Sequence, residues 1–458
     1  MADKEFFYVQ KHVADQLDAG EKAKCDAYCQ AYKRYLDAAK IEREAVQEAI
    51  RLAEAKGFRP FTRGKQLTAG DKIYRSIHGK AILLAVVGKK SLADGANIAA
   101  AHVDSPRLDL KQIPLYEDSE LAMLKTHYYG GVRKYQWVTV PLELHGTIAL
   151  KDGTSLNVKI GSAPDDPLFC ITDLLPHLSA DQNKKTLAEA FTGENLNILV
   201  GSLPEKEPGK ERVKATVLQL LHEKYGITEA DLISAELEAV PAANARDIGF
   251  DRSMIGAYGH DDRVCAFAEL QAILEVENPE KTAVCILADK EEIGSVGVTG
   301  MKSYAFECFM EDMCDCQGVK LRHCLERSYC ISADVTAAFD PNYPEVYEKR
   351  NSAKINYGVG VCKFTGARGK SGANDAPAEV VAKLRRMFDD AGVIWQMCEL
   401  GKVDQGGGGT VAAYMAVRNI PTIDAGVPVL SMHSPYEVVA KLDCYMTYKG
   451  MKALYREK

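Results

Sequence analysis

Short apolar runs that stop abruptly at charged or imidazole side chains constrain this chain more than any other feature. Ala283 to Ala288 is apolar and partly β-branched, and it ends in Asp289, Lys290, Glu291 and Glu292. Such a run reads as a buried strand bounded by charge. Asn97 to Ala101 likewise precedes His102 and Asp104, Cys330 to Ala333 precedes Asp334, and the strand-like piece Ile420 to Leu430 ends near His433. Arg263 to Leu274 has the spacing of an amphipathic helix, with His260, Asp261 and Asp262 at or just before its start. In open α/β sheets the carboxyl ends of strands face one crevice, which is where ligands bind. Five points of chemistry are therefore expected to converge: His102 with Asp104, Asp261, Glu291 with Glu292, Asp334, and His433.

The chain has 458 residues, too many for one ordinary core. Domains of about 100–250 residues are the natural expectation. From about Leu110 to Ala245 the texture changes. Tyr128 to Val138 and Leu142 to Ile160 are aromatic and β-branched, with Asp152-Gly153 marking a hairpin turn. A polar segment, Ser202 to Arg212, and a helical piece, Val213 to Lys224, follow. This predicts an α/β domain split into residues 1–109 and 246–458 by an inserted, mostly antiparallel β domain at 110–245. Before the insertion, Asp18 to Lys56 predicts two surface helices and Lys72 to Val87 predicts strands. After it, Gly406 to Gly409 predicts a backbone turn bordering a substrate cleft, with Thr410 starting a helix, because no phosphate-loop Lys follows. From Pro435 the chain reads as a closing helix.

Composition narrows the function classes. A formal net charge of -7, with no basic block carrying interleaved aromatics, argues against a nucleic-acid-binding surface. The start of the chain lacks the apolar core of a signal peptide, and the longest aliphatic run, Ala81 to Val87, is far too short to span a bilayer. Thirteen cysteines without framework spacing fit reduced thiols and a cytoplasmic protein. Cys308, Cys314 and Cys316 lie close together, but no paired spacing completes a zinc knuckle.

Adjacent glutamates are most often a solvated acidic turn. Here, two imidazoles and several carboxylates at the ends of apolar runs make a mixed N/O donor set suited to zinc, cobalt or manganese. Residues i and i+2 of a strand point to the same side, so Asp104 can approach the His102 ring nitrogen that a metal would not use.

In order along the chain, AAHVDSPRLDLK, GHDDRVCAF, DKEEIGS, SADVTAAFDPNY, the GGGGT turn and MHSPYE resemble the M18 metallopeptidases, the family containing aspartyl aminopeptidase and vacuolar aminopeptidase I. The resemblance implies a central mixed sheet flanked by helices, interrupted by a β-rich dimerisation domain, and assembly into tetrahedral dodecamers. It implies two divalent metal ions, zinc first and cobalt or manganese as alternatives, bridged by Asp261. His102 and Asp334 would complete one metal site, and Glu292 and His433 the other. Glu291 would act as general base and Asp104 would orient His102. The substrates would be peptides with a free N-terminus.

Two further residues carry weaker matches. His177, in LLPHLSADQN, resembles an insertion-domain histidine that family members project into a neighbouring subunit's active site. Lys363, in GVCKFTG, resembles the basic residue that receives an acidic N-terminal side chain. The resemblance thus extends to a preference for acidic N-terminal residues, against which stand Asp340, where the aspartyl enzymes carry histidine, and YYGGVRKYQWV, which differs from their glycine- and tryptophan-rich piece. The rival readings are a dimetal carboxypeptidase or N-deacylase on the same scaffold, and a non-catalytic cage-forming protein.

Overall fold

The computed structural model describes residues 6–458. Contacts divide the chain into two compact units. The first takes in the residues up to Asp104, then Ala245–Met432 and Glu437–Lys458; the second is Ser105–Asn244 with the short segment His433–Tyr436. These edges compare with 109/110 and 245/246 read from the sequence.

The first unit is built on a nine-stranded mixed sheet. Its strands, edge to edge, are Arg59–Pro60, Lys72–Ile77, Ala81–Val86, Thr282–Ala288, Ala96–His102, Tyr329–Ser332, Thr422–Gly426, Val359–Cys362 and Trp395–Cys398. The middle four, from Thr282–Ala288 to Thr422–Gly426, run parallel to one another. Both faces are covered, which is why these strands are dominated by apolar residues, with Asn97 and Asp424 as buried exceptions. Ile82, Leu84, Ala99, Ala101, Cys285, Leu287 and Ile331 pack into one core with Tyr32, Phe267 and Met446. Their neighbours Leu83, Ile98, Ala100, Val284, Ile286 and Cys330 pack into another with Phe309, Met313 and Met415. Period-two alternation assigns every second residue to the opposite layer. The helices Ala19–Ala38, His260–Leu274 and Lys441–Arg456 supply the first layer, and Ala305–Asp315 and Val411–Ala416 the second.

A five-stranded sheet in the same unit has the order Arg246–Ile248, Met254–Ala257, Glu437–Ala440, Pro428–Leu430, Thr336–Ala337. Its third strand corrects one expectation. The chain after Pro435 first forms the strand Glu437–Ala440, antiparallel to Met254–Ala257, and the helix begins only at Lys441. Adjacent Val438 and Val439 favour the extended backbone there.

The second unit carries a six-stranded antiparallel sheet, order Ser155–Ile160, Leu142–Ala149, Ala235–Pro241, Arg107–Asp118, Leu121–Tyr129, Ile198–Gly201. The Asp152-Gly153 turn closes the first hairpin, with Gly153 at φ 89° and the Asp152 carboxylate accepting from the Thr154 N–H at 2.9 Å. The aromatic stretch Tyr128–Val138 departs from the expected strand. Its strand ends at Tyr129, Gly130 turns the backbone at φ 73°, and the rest forms a helical turn, Lys134–Gln136, anchored by the buried Trp137. Among the described residues, no helix is long and apolar enough to cross a membrane.

Gly95 opens the strand that carries His102. Its φ is 83°, and a Cβ there would lie 2.1 Å from the Arg327 carbonyl oxygen. Gly95→Ala combines left-handed strain with overpacking and should destabilise the protein by about 2–4 kcal/mol in a denaturant titration.

Candidate active site and metal centre

Parallel pairing brings the chemistry to one edge of the sheet. His102 is the last residue of its strand and lies in register with Ala288, so the Asp289–Glu292 turn emerges beside it. On the other side Ser332 pairs with Ala100, which carries Asp334 to the same level. Asp261 arrives from the five-stranded sheet. The chain leaves the strand Met254–Ala257, turns at Gly259 (φ 75°), and holds Asp261 and Asp262 out of helical geometry before the helix proper begins. The Asp261–Asp262 peptide bond is cis.

Small residues and buried caps shape this entry. A Cβ on Gly259 would stand 1.6 Å from an Arg263 guanidinium nitrogen. That guanidinium donates to the Gly259 and Ala39 carbonyls at 3.1 and 2.8 Å. His260 is structural: Tyr32 donates to its Nδ1 at 2.7 Å, and its Nε2–H donates to the Ile255 carbonyl at 3.1 Å. Burial pushes the imidazole down to about 3, so the ring stays neutral. Glu437 was invisible as a site residue in sequence. It is buried, and its carboxylate accepts the Asp261 N–H at 3.0 Å.

One ligand atom each from His102, Asp261 and Asp334 lies within 4.8 Å of the others. Glu292 offers an oxygen within the same distance of an Asp261 oxygen. The His102 Nε2 faces Asp261 at 3.2 Å and Glu291 at 4.0 Å. Its Nδ1 faces the Asp104 carbonyl at 2.9 Å and the Asp104 carboxylate at 3.3 Å. The same carboxylate accepts the N–H groups of Glu291 and Glu292, each at 3.2 Å. Asp104 therefore ties the imidazole to the acidic turn. The sequence carried no signal for the second half of that tie, because backbone donors leave no mark in residue identity.

The electrostatics fit a cation. Burial opposes charge on His102, yet its hydrogen bonds to Asp104 and Asp261 hold its pKa well above the ordinary value. Burial also drives the Asp262 carboxyl well up, with Asp334 and Asp261 adding repulsion. Asp334 is raised by burial and by Glu291 and Asp261, against the pull of His102. Asp262 accepts the His102 N–H at 3.4 Å with one oxygen, while the other, Oδ1, has no hydrogen-bond partner. Crowded carboxylates of this kind are costly unless a cation compensates them, and a bound dication reverses the local pKa logic. An imidazole with several carboxylates is the N/O donor set of zinc.

The remaining sequence-derived residues have other surroundings. His433 belongs to the second unit, at φ 64°, with its Nδ1 3.1 Å from the Gly131 carbonyl. Donation from that nitrogen leaves the lone pair on Nε2. His177 sits on an exposed turn of the same unit, Pro176–Leu178. Lys363 ion-pairs with Asp375, which also takes Lys370 at 3.2 Å. Asp340 caps its own turn, accepting the Asn342 N–H at 2.9 Å. Gly406–Gly409 form no regular structure, and Thr410 caps the helix Val411–Ala416 while donating to Asp424 at 2.7 Å.

An α/β unit with an imidazole and carboxylates gathered at the carboxyl edge of its parallel strands defines a metallohydrolase. A family model described as aminopeptidase I zinc metalloprotease (M18) matches residues 35–455. A probable M18 family aminopeptidase 1 from Clostridium acetobutylicum is 49% identical over 452 residues, spanning 97% of each chain. The crystal structure of an M18-family aminopeptidase from Thermotoga maritima has a TM-score of 0.95 at 43% identity, covering 99% of this chain and 100% of that one. The mApe1 dodecamer from Saccharomyces cerevisiae shares the fold at a TM-score of 0.77 and 21% identity, over 95% of this chain and 97% of that one. The chain belongs to the M18 family of metallo-aminopeptidases and is a hydrolase.

Asp104→Asn keeps the size of the side chain but removes one acceptor oxygen and the charge facing His102. Where a carboxylate orients a metal-binding imidazole, its loss weakens metal affinity about 10–100-fold. Competition with a chromophoric chelator should show a loss in that range.

Proposed function

We propose that the protein removes N-terminal residues from peptides using two divalent metal ions, zinc in the first instance, with Glu291 as the group that moves protons. The observation that carries this reading is the convergence of His102, Asp261 and Asp334 on one point with Glu291 beside the imidazole. His102 and Asp334 would hold one ion, Glu292 and His433 the other, with Asp261 shared between them. When bound, the ions would supply Lewis acidity, lowering the pKa of water and polarising a carbonyl group.

The protein's own side chains do the rest. Glu291 accepts the proton of the attacking water and delivers it to the amine that leaves. Asp104 fixes the His102 ring and anchors the backbone of the turn on which Glu291 and Glu292 stand. The carboxylates of the site would also receive the free α-amine of the substrate, which makes the reaction an aminopeptidase rather than a carboxypeptidase reaction.

Acidic selectivity depends on a cation waiting for the substrate. Lys363 is already paired with Asp375, and Asp340, at the position where the aspartyl enzymes carry histidine, would add negative charge near the substrate. Both features support turnover of apolar and acidic N-termini at comparable rates. Assembly through the second unit is part of the same reading. Leu174, Leu175, Leu178 and Leu187 are 50%, 49%, 68% and 54% exposed there, in the stretch that also bears His177. We place the enzyme in the cytoplasm, where its thirteen cysteines, all free thiols in this fold, stay reduced.

Glu291→Gln should lower kcat by about 10²–10⁴-fold on aminoacyl p-nitroanilides while leaving the melting temperature unchanged. A peptide panel differing only at the first residue should give kcat/KM values within about tenfold for Leu, Met and Glu, the scale of one modest binding contact. Turnover of N-acetyl amino acids but not of free-amine substrates would reject the aminopeptidase reading.

A further inference from the structure

A second charged cluster lies behind the acidic turn, built from three elements far apart in sequence. Lys80 closes the hairpin between Lys72–Ile77 and Ala81–Val86, where His78 and Gly79 both take positive φ, 51° and 68°. The loop is three residues long, His78 to Lys80, and the Lys80 N–H donates to the Ile77 carbonyl at 3.0 Å, which fixes the backbone from which Lys80 extends. Its Nζ is 2.9 Å from Glu42, the first residue of the helix Glu42–Glu54, and 3.9 Å from the carboxylate of Asp289. Glu42 and Asp289 are fully buried and Lys80 is 8% exposed.

Asp289 is the residue at which the strand Thr282–Ala288 gives way to the turn bearing Glu291 and Glu292. Its Oδ2 accepts from Thr299 Oγ1 at 2.5 Å, and Lys290 Nζ approaches the same oxygen at 3.5 Å. Its Oδ1 has no hydrogen-bond partner. Buried carboxylates are retained when they are paired, and breaking a buried pair by removing one partner leaves an uncompensated charge. Asp104 adds a further negative charge at the turn, where it accepts the Glu291 and Glu292 N–H groups.

We propose that Lys80 is a positioning residue for the Glu291–Glu292 turn, acting through Asp289. Asp104 holds the turn by two N–H groups, and Lys80 holds its first residue by charge. Within the turn Lys290 takes φ 68°, a conformation that the flanking contacts must maintain. This inference rests on the aminopeptidase reading for its catalytic consequence, and on the geometry alone for its effect on the turn.

The test compares wild type with Lys80→Met, Lys80→Arg and the double variant Glu42→Gln/Lys80→Met. The double variant removes the stranded Glu42 charge along with its cation, so it recovers stability while Asp289 still lacks Lys80. The expected result is a kcat lower by about 10–100-fold in Lys80→Met and in the double variant, with KM within about twofold and Lys80→Arg near wild type. Hydrogen exchange of the Glu291 and Glu292 amides should be about tenfold faster in the double variant. A double variant with wild-type exchange at those amides overturns the proposal, whatever its stability. An inactive wild-type enzyme whose double variant still exchanges faster would sink the aminopeptidase reading and leave the role of Lys80 standing. Wild-type kcat in the double variant, with wild type active, reduces Lys80 to a partner of Glu42.

Discussion

Four parallel strands, each buried on both faces, impose the arrangement on which the rest depends. Their side chains alternate between two cores, so they are mostly apolar, and the exceptions along their length, such as Asn97 and Asp424, are buried with hydrogen-bond partners of their own. Most of the charge is carried at the strand ends, and parallel pairing puts those ends on one edge. His102, the Asp289–Glu292 turn and Asp334 are consequences of that register. In an antiparallel arrangement the same apolar runs would have sent their charged ends to opposite edges.

Crowding carboxylates at this edge is electrostatically unfavourable, and the protein holds them in place with specific contacts. Asp104 accepts two backbone N–H groups and faces an imidazole. Glu437 accepts the Asp261 N–H, and Thr410 donates to Asp424. Each contact fixes a carboxylate or a loop that repulsion would otherwise spread apart. Burial first, and the repulsion that remains among them second, hold the Asp262 and Asp334 carboxyls well above the usual carboxylate range. A cation relieves it, so the shape of the site and its demand for metal have one origin.

The apolar runs and the Asp152-Gly153 hairpin were legible because they depend on local periodicity and turn chemistry. Tyr128–Val138 misled because aromatic content was read as strand propensity, while Gly130 set the break. The segment after Pro435 misled because a strand of four residues, Glu437–Ala440, is too short for its period to stand out beside the helix that follows. Lys363 shows the same limit at a single side chain. Its charge was visible, but its pairing with Asp375 across a loop was not.

By itself the sequence determined which residues could carry the chemistry, and the M18 resemblance told how they would divide the work, because donor type is written in residue identity. It also determined the strands, since burial on both faces demands largely apolar runs. Only the tertiary structure decided that Asp104 grips the acidic turn through backbone N–H groups, that Glu437 caps Asp261, and that Lys80 reaches Asp289. Those contacts join segments separated by scores or hundreds of residues, and several end on main-chain atoms that every residue shares. Such pairings follow from strand register and packing, which exist only once the chain has folded.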